Sequence, residues 1–399
     1  MAPLTTRKFD EAMTPREREL AFGAGTYMKR DITLVRGEGI YAFDNSGRKY
    51  IDCISGIAVA ALGHAHPELV KAISEQAGAI MSAPELLCNP VRAEYQRRLL
   101  EYFPESYTRV FLCNSGAESI EGALKFARFT TGKFGIAALK KGFHGKTMGA
   151  LSPTAEPKYR EPFQPLLPEV HHVSPDVASV EELLKDHGDK LGCFIFEPLQ
   201  GEGGINVQDE TFVKEAIALF QARGILVICD EVQSGFGRTG RMWAHEHFNI
   251  QPDIVCLAKA IGGGVPMGAI VIGEKIAELP PQSHTSTFGG NPLASRAGLC
   301  VLDVIERDKL VENARNIGEH LASRIRDADL KTVREVRGKG LMIGIELKQR
   351  AGQYIQLCAD RGLLILLAGT RVIRLLPPLI ISREQADEIA DILIDVLSA

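Results

Sequence analysis

The sequence lacks an excess of positive charge, a hydrophobic run of membrane-spanning length and an apolar leader. The net charge is −4 and no cluster of lysine and arginine stands out, so the charge pattern of a nucleic-acid-binding protein is absent. No apolar run approaches the length that crosses a bilayer. The first residues, "MAPLTTRKFDEAMTPREREL", carry charges where an export signal needs an apolar core. We therefore expect a soluble, cytoplasmic protein that binds neither nucleic acid nor membrane.

Paired cysteines and metal-binding motifs are also missing. None of the eight cysteines belongs to a CxxC pair, and several lie inside apolar runs such as "GCFIF" and "IVCLA", which is typical of buried thiols in a reducing compartment. The histidine groups at 64–66, 171–172 and 245–247 lack the helical spacing of a zinc site and a plausible third ligand. We expect no metal site.

What is present is an ordinary globular composition, 45% hydrophobic and 24% charged over 399 residues, enough for two domains. From about residue 108, short apolar runs without polar alternation are separated by helical stretches. One such stretch is "KKGFHGKTMGAL". This pattern predicts an α/β fold with a mainly parallel central sheet and helices on both faces. In such sheets, ligands bind at the carboxyl ends of the strands.

The two ends of the chain have a different pattern. Residues 33–59 read as a β-meander with "DNSG" as its turn. After Pro292 we expect a long helix to about Asp327, then strands at "GLMIGIEL" and "VIRLLPP", then a closing helix from Ser382 with a capping box. We expect a smaller α+β domain built from both termini. The predicted division is 1–62 and 292–399 for the small domain, with 63–291 as the large domain.

Three stretches carry candidate chemistry. In "ILVICDEVQSGFGRTG", a buried strand delivers Asp230, which is costly unless a cation meets it. In "CNSGAES", Ser115 is a natural N-cap, and the stretch is either an anion site at a helix N-terminus or a plain tight turn. In "CLAKAIGGGVPMGA", Lys259 is either a surface residue or a desolvated amine fit for Schiff-base chemistry. Together, a phosphate cradle, a lysine and a carboxylate suggest pyridoxal phosphate, whose protonated ring nitrogen would be the cation that meets Asp230.

The chain resembles the class III aminotransferases of the fold-type I pyridoxal phosphate enzymes over nearly its whole length. It looks nearest to the putrescine, acetylornithine and 4-aminobutyrate aminotransferase branches. The resemblance rests on motifs that occur in family order: "GEGIYAFDNSGRKYIDCISGIAVAALGHAHP", "NSGAES", "FHGKTMGALS", "EPLQGEGG", "DEVQSGFGRTG", "LAKAIGGGVPMGA" and "STFGGNP".

The resemblance implies roles around the cofactor ring. Lys259 would bind pyridoxal phosphate as a Schiff base and later carry the proton shift. Asp230 would hold the protonated ring nitrogen, and Gln233 would hydrogen-bond the phenolic oxygen. Val232 and Phe143 would pack on the two ring faces.

Other residues would bind the phosphate and the partner subunit. Ser115, Gly116 and Ala117 open the helix, and the latter two would offer backbone amides to the phosphate. Thr287 would reach the phosphate of the partner, which implies a homodimer with shared active sites. Ser286 would contact substrate beside it.

The resemblance also implies residues for substrate choice. Glu197 would neutralise Arg374 while an amine donor is bound and release it to the carboxylate of an oxo acid; otherwise the pair is a structural link between domains. Lys146 stands where relatives acting on ornithine derivatives or 4-aminobutyrate have arginine, and it lacks the bidentate fork.

We therefore expect transfer of a terminal amino group from a diamine or ω-amino acid to a 2-oxo acid such as 2-oxoglutarate or pyruvate. Acetylornithine or 4-aminobutyrate transamination is the alternative. A different reaction on the same cofactor, such as an amino shift or a decarboxylation, stays open. A non-catalytic binder is disfavoured because it needs no Schiff-base lysine.

Overall fold

The structure, a computed structural model, describes residues 13–398. The first twelve residues of the predicted N-terminal segment, and Ala399 at the end of the predicted C-terminal one, lie outside this range. Within it the strands are β1 Leu34–Glu38, β2 Tyr41–Asp44, β3 Lys49–Asp52, β4 Tyr107–Cys113, β5 Gly135–Leu139, β6 Val170–Val173, β7 Leu191–Phe196, β8 Leu199–Gln200, β9 Asn206–Val207, β10 Leu226–Asp230, β11 Ile254–Leu257, β12 Gly268–Gly273, β13 Val333–Lys339, β14 Met342–Leu347, β15 Leu363–Leu364, β16 Leu366–Ala368 and β17 Val372–Leu375. The α-helices are α1 Pro15–Phe22, α2 Ser55–Ala58, α3 Pro67–Ala79, α4 Pro90–Leu100, α5 Gly116–Thr131, α6 Met148–Leu151, α7 Pro157–Arg160, α8 Val177–His187, α9 Glu210–Gln221, α10 Pro292–Arg307, α11 Leu310–Asp327, α12 Gly352–Asp360 and α13 Arg383–Ser398.

A seven-stranded sheet forms the centre of the molecule, in the order β4-β12-β11-β10-β7-β5-β6. Only β12 runs antiparallel to its neighbours within this sheet. Leu226 and Ile228 of β10 pack into one hydrophobic cluster, whereas Val227 and Cys229 pack into the other, because successive side chains point to opposite faces. Both faces are therefore covered, and the predicted fold class with its mainly parallel sheet is confirmed.

The topology gathers chemistry at one edge of this sheet. Asp230 is the last residue of β10, Glu197 directly follows β7, and Lys259 comes two residues after β11. The turn that opens α5 follows β4. All four strands run in the same direction, so their carboxyl ends meet at that edge.

The chain termini meet in smaller sheets. β1, β2 and β3 form the expected meander, and its turn is closed by the amide of Gly47 donating to the carbonyl of Asp44 at 3.0 Å. β15 pairs in parallel with β3, so the N-terminal and C-terminal parts of the chain share a sheet. A second sheet, in the order β13-β14-β17-β16, carries Arg374 on β17. The exact domain boundaries given above stay a prediction.

Two local expectations were wrong. The long helix after Pro292 is two helices, α10 and α11, because Lys309 between them adopts φ +52°, in the left-handed region. The stretch "KKGFHGKTMGAL" is helical only over α6, since Lys141 and Gly145 have φ of +65° and +145°, which no α-helix accommodates. The resulting loop 140–147 extends over the carboxyl edge of the sheet.

None of the helices within residues 13–398 combines the length and the apolar character that a membrane crossing requires.

Candidate active site

A cavity of about 370 Å³ opens at the carboxyl edge of the central sheet, a size ordinary for a small-ligand site. Most of the residues predicted from the sequence line it. These are Ser115, Gly116, Ala117, Phe143, Glu197, Asp230, Val232, Gln233 and Lys259. The other four predicted residues, Lys146, Ser286, Thr287 and Arg374, do not line it directly.

The N-terminus of α5 forms one wall of the cavity. The hydroxyl of Ser115 accepts a hydrogen bond from the amide of Glu118 at 3.2 Å, as an N-cap does. Helix geometry leaves the other first-turn amides, including those of Gly116 and Ala117, without intrahelical acceptors. A Cβ on Gly116 would lie 2.7 Å from Cγ1 of Val232, so only glycine fits between the helix and that side chain. The wall therefore offers backbone donors to an anion such as phosphate.

Asp230 is buried, and its carboxylate meets an imidazole that we did not predict. Its Oδ2 lies 2.8 Å from Nδ1 of His144, and its Oδ1 accepts from the amide of Val232 at 3.0 Å. The His144 side chain is fully buried, and its Nε2 has no hydrogen-bond partner within the described residues. His144 belongs to the "FHGKTMGALS" motif, and no charge or spacing in that motif indicated its contact with Asp230.

Lys259 opens a 3₁₀ turn after β11, with φ of +49°. Burial lowers the pKa of its amine, while the carboxylates of Asp230 and Glu197 oppose the shift. A lowered pKa increases the fraction of neutral amine, which is the nucleophilic form. The Lys259 side chain can therefore act as an amine nucleophile facing the cavity.

The predicted Glu197–Arg374 ion pair is not formed. Both oxygens of Glu197 are occupied by backbone amides, Oε1 by Phe143 at 2.8 Å and Oε2 by Gly201 at 3.0 Å. Burial raises the pKa of Glu197 to about 7. The carboxylate paired with Arg374 is that of Glu202, at 3.3 Å from Nη2. Both glutamates belong to "EPLQGEGG", and only the path of the chain after β7 decides which one reaches β17.

Arg374 is itself buried beside the cavity, and burial lowers its pKa. Its Nη1 donates to Oε1 of Gln233 at 3.5 Å, and its Nε has no partner within the described residues. Gln233 approaches the backbone so closely that a Cβ on Gly201 would lie 2.4 Å from its Oε1. Arg374 therefore retains a free donor at the edge of the site.

A second unpredicted residue, Tyr159, connects Glu202 to Lys146. Its hydroxyl donates to Oε1 of Glu202 at 3.1 Å. The ammonium of Lys146 lies 3.4 Å from the centroid of the Tyr159 ring. Burial and the neighbouring Glu202 raise the pKa of Tyr159 to about 12, so the hydroxyl is a donor at neutral pH. The Lys146 side chain is solvent-exposed and lies outside the cavity lining.

Ser286 and Thr287 lie next to the N-terminus of α5. The hydroxyl of Ser286 accepts from Nδ2 of Asn114 at 3.1 Å and from the amide of Gly289 at 3.0 Å. Thr287 is exposed, and neither residue lines the cavity of this chain. Their predicted contacts with substrate and partner stay predictions.

Glu231, which directly follows the last residue of β10, stabilises the loop after that strand. Its carboxylate accepts from the amide of His245 at 2.8 Å and from the hydroxyl of Ser234 at 2.6 Å, and its Oε1 lies 3.0 Å from Nδ1 of His245. Burial alone would raise its pKa, but these donors leave the pKa below its usual value. Glu231 is therefore a charged structural anchor beneath Val232 and Gln233.

The donor set fits pyridoxal phosphate. The cavity brings together an amine nucleophile, a buried carboxylate and first-turn amides, which match the aldehyde carbon, the ring nitrogen and the phosphate of that cofactor. Val232 and Phe143 contribute apolar surface to the cavity.

Comparison with known proteins agrees with this geometry. The family described as "Aminotransferase class-III" matches residues 23–397. An acetylornithine aminotransferase of Methanopyrus kandleri is 44% identical over 97% of this chain and 100% of its own length. A [LysW]-aminoadipate semialdehyde transaminase of Deinococcus radiodurans is 43% identical over 93% of this chain and 87% of its own.

A solved structure has the same fold along nearly the entire chain. The ornithine aminotransferase of Toxoplasma gondii, described with pyridoxal phosphate at partial occupancy in its active site, superposes with a TM-score of 0.92 at 29% identity and covers 97% of this chain and 95% of its own. The chain therefore belongs to the class-III aminotransferases and is a pyridoxal phosphate-dependent transaminase.

Proposed function

We propose that the protein transfers a terminal amino group from a donor that carries a carboxylate far from the reacting amine to a 2-oxo acid. The observation that carries this proposal is the pairing of Arg374, buried beside the cavity, with Glu202, which lines the cavity. An arginine covered by a removable carboxylate suits a site that must accept an amine and an oxo acid in turn.

The residues divide the work of each half-reaction. Pyridoxal phosphate, when bound, supplies an electron sink for the bond-breaking step at the donor carbon. Lys259 would hold the cofactor covalently and would move a proton at that carbon. Asp230, hydrogen-bonded to His144, would keep the ring nitrogen protonated. The amides of Gly116 and Ala117 would bind the phosphate.

The remaining contacts orient the ring. Val232 and Phe143 would pack on its two faces, and Gln233 would hydrogen-bond its phenolic oxygen. Placement of these three side chains around one cavity supports the assignment.

Glu202 is better suited than Glu197 to the switching role. Its side chain is 34% exposed, and its partners within residues 13–398 are the side chains of Arg374 and Tyr159, whereas Glu197 is buried and bonded to two backbone amides. Moving Glu197 would leave those amides unsatisfied, which is costly in a buried site. We therefore assign to Glu202 the switch that the family resemblance implied for Glu197. Glu202 stays paired with Arg374 while the amine donor is bound. When Glu202 is displaced, the α-carboxylate of the oxo acid can bind Arg374 bidentately.

The donor is argued from Lys146 and from the relatives. The ammonium of Lys146 lies 5.6 Å from the ring centroid of Phe143, which lines the cavity, and 3.4 Å from that of Tyr159; we call this edge the cavity mouth. The relatives named above are an acetylornithine aminotransferase and a [LysW]-aminoadipate semialdehyde transaminase. Both observations favour an N-acylated diamino acid whose carboxylate contacts Lys146. A diamine such as putrescine is the second candidate, because lysine holds a carboxylate less firmly than the arginine fork does.

Donor kinetics test this proposal. We expect wild-type kcat/KM for N2-acetylornithine to exceed that for putrescine with 2-oxoglutarate as acceptor. Lys146→Ala should lower kcat/KM for N2-acetylornithine by ~10-fold, about the worth of one hydrogen bond to a charged group, and leave putrescine unchanged. Lys158→Ala is the control, since Lys158 also lies over the Tyr159 ring, at the longer distance of 4.8 Å. If putrescine is the better donor and Lys146→Arg leaves the ranking unchanged, the carboxylate assignment fails.

We also propose a cytoplasmic homodimer. The eight cysteines are unpaired, which supports a reducing compartment. Exposed apolar side chains surround Thr287, including Phe288 and, on a neighbouring segment, Leu86 and Leu87. Arg92 ties the two segments together by donating to the carbonyls of Leu87 and Gly290. Such a patch beside an active site is suited to a second copy that completes it.

A further inference from the structure

We propose that Tyr159 is a positioning residue for the two cations that bind substrate carboxylates, Arg374 and Lys146. Its hydroxyl holds Glu202 against Arg374, and its ring face holds Lys146 beside the cavity mouth. The inference rests on the proposed function, and it assigns to one side chain a separable influence on each substrate.

The hydroxyl of Tyr159 and the guanidinium of Arg374 share the carboxylate of Glu202. Oε1 of Glu202 accepts from the Tyr159 hydroxyl at 3.1 Å, and Oε2 pairs with Nη2 of Arg374 at 3.3 Å. Within the described part of the chain, each oxygen of Glu202 therefore has one donor. Removing the hydroxyl would leave Glu202 held by Arg374 alone, so the position in which it covers Arg374 would be less populated.

The ring side is a cation–π contact. The ammonium of Lys146 lies 3.4 Å from the ring centroid, well within the range of such contacts. The ring of Phe143 meets the Tyr159 ring edge-on, with centroids 5.8 Å apart and planes at 79°, which fixes the plane on which Lys146 rests. Lys158 also lies over the ring, 4.8 Å from its centroid, and Glu202 supplies the nearby negative charge.

The consequence differs for the two substrates. An oxo acid binds Arg374 only after Glu202 has left it. The apparent affinity for the oxo acid is therefore its intrinsic affinity multiplied by the fraction of molecules in which Glu202 is displaced. A carboxylate-bearing donor leaves Glu202 in place and uses Lys146 instead. Loss of the hydroxyl should therefore favour the acceptor, and loss of the ring should weaken the donor.

Two substitutions separate these effects. Tyr159→Phe keeps the ring and should lower KM for 2-oxoglutarate by ~3- to 10-fold, the effect of one hydrogen bond, with KM for N2-acetylornithine unchanged. Tyr159→Leu removes ring and hydroxyl and should lower the acceptor KM in the same way. It should also raise KM for N2-acetylornithine by ~2- to 5-fold, with no change for putrescine, which has no carboxylate. Neither variant should change kcat by as much.

The chain offers a matched control. The hydroxyl of Tyr102 donates to Oε2 of Glu306 at 3.1 Å, and that glutamate also pairs with Arg98 at 3.0 Å. This trio has the same residue types as Tyr159–Glu202–Arg374 but lies away from the cavity, and both donors contact Oε2 of Glu306. Tyr102→Phe should change neither KM. If Tyr102→Phe and Tyr159→Phe lower the acceptor KM alike, the effect is a general one of removing a hydroxyl, and the inference is overturned.

A binding measurement keeps this inference separate from the proposed function. Titration calorimetry of glutarate, a dicarboxylate that cannot react, should give tighter binding to Tyr159→Phe than to wild type. Unchanged glutarate binding and unchanged acceptor KM in Tyr159→Phe, in an enzyme that turns over, would overturn the Tyr159 inference alone. A wild-type protein that transaminates none of the donors would overturn the proposed function, and the glutarate titration would still decide whether Tyr159 positions Glu202.

Discussion

At the scale of single residues, Asp230 is the clearest case of a side chain whose surroundings define its task. It is buried with an imidazole on one oxygen and a backbone amide on the other. We predict that Asp230→Asn retains cofactor but loses kcat by ~10²-fold or more, because the amide cannot stabilise a protonated ring nitrogen. Cofactor content by absorbance and steady-state kcat measure the two effects. A near-normal kcat with full cofactor would contradict the role given to Asp230.

Lys259 permits a test of covalent attachment. We predict that borohydride reduction of the holoprotein fixes the cofactor to the peptide that contains Lys259, and that Lys259→Ala yields no adduct and loses nearly all turnover. Peptide mass spectrometry measures the adduct. Attachment to a different lysine, or equal turnover of the variant, would contradict the assignment.

Glu197 makes stability depend on pH. Burial raises its pKa from 4.5 to about 7, so the folded protein retains a proton that the unfolded chain releases. Its stabilising contribution is therefore complete below pH 4.5 and is lost as pH rises to 7, by roughly 3 kcal/mol. Urea unfolding of the cofactor-free protein between pH 5 and 8 should show this loss in wild type, and a smaller loss in Glu197→Gln. If the free energy of unfolding falls equally with pH in wild type and in Glu197→Gln, Glu197 ionises normally in the folded protein.

At the scale of elements, two serine N-caps allow a controlled comparison. Ser115 caps α5 and Ser382 caps α13, and each hydroxyl accepts an amide at 3.2 Å. Replacing either serine by alanine should cost ~1 kcal/mol of unfolding free energy. Of the two variants, only Ser115→Ala should also weaken binding of pyridoxal phosphate, because the N-terminus of α5 lines the cavity and that of α13 does not. Equal cofactor affinity in both variants would show that the α5 N-terminus is a cap alone.

The elements also show what sequence can and cannot specify. The strand that ends at Asp230 was predictable, because an uninterrupted apolar run of that length has few alternative secondary structures. The capping box at Ser382 is also present as expected. The loop 140–147 was mistaken for a helix, since the residue type of Lys141 gives no sign of its positive φ. The choice of Glu202 over Glu197 for Arg374 likewise depends on packing between segments far apart in the chain.

At the scale of the whole molecule, the apolar surface beside the site predicts assembly. Leu86 is 88% exposed and Phe288 is 64% exposed, which is costly for a monomer in water. We predict that wild type is a dimer by light scattering and that Leu87→Asp shifts it to monomer and lowers cofactor retention. Leu357→Asp, on the exposed side of α12, is the control and should stay dimeric. A monomeric wild type with full activity would contradict the shared site.

The proposed chemistry is tested most directly by one half-reaction of the intact enzyme. Purified holoprotein is mixed with N2-acetylornithine or with putrescine, without acceptor, and its visible absorption band is followed; 2-oxoglutarate is then added. We predict rapid loss of the band with N2-acetylornithine, slower loss with putrescine, and full recovery on addition of the oxo acid. Loss with putrescine alone would contradict the assignment of a carboxylate-bearing donor, and a protein that shows no visible band after addition of pyridoxal phosphate would contradict the function itself.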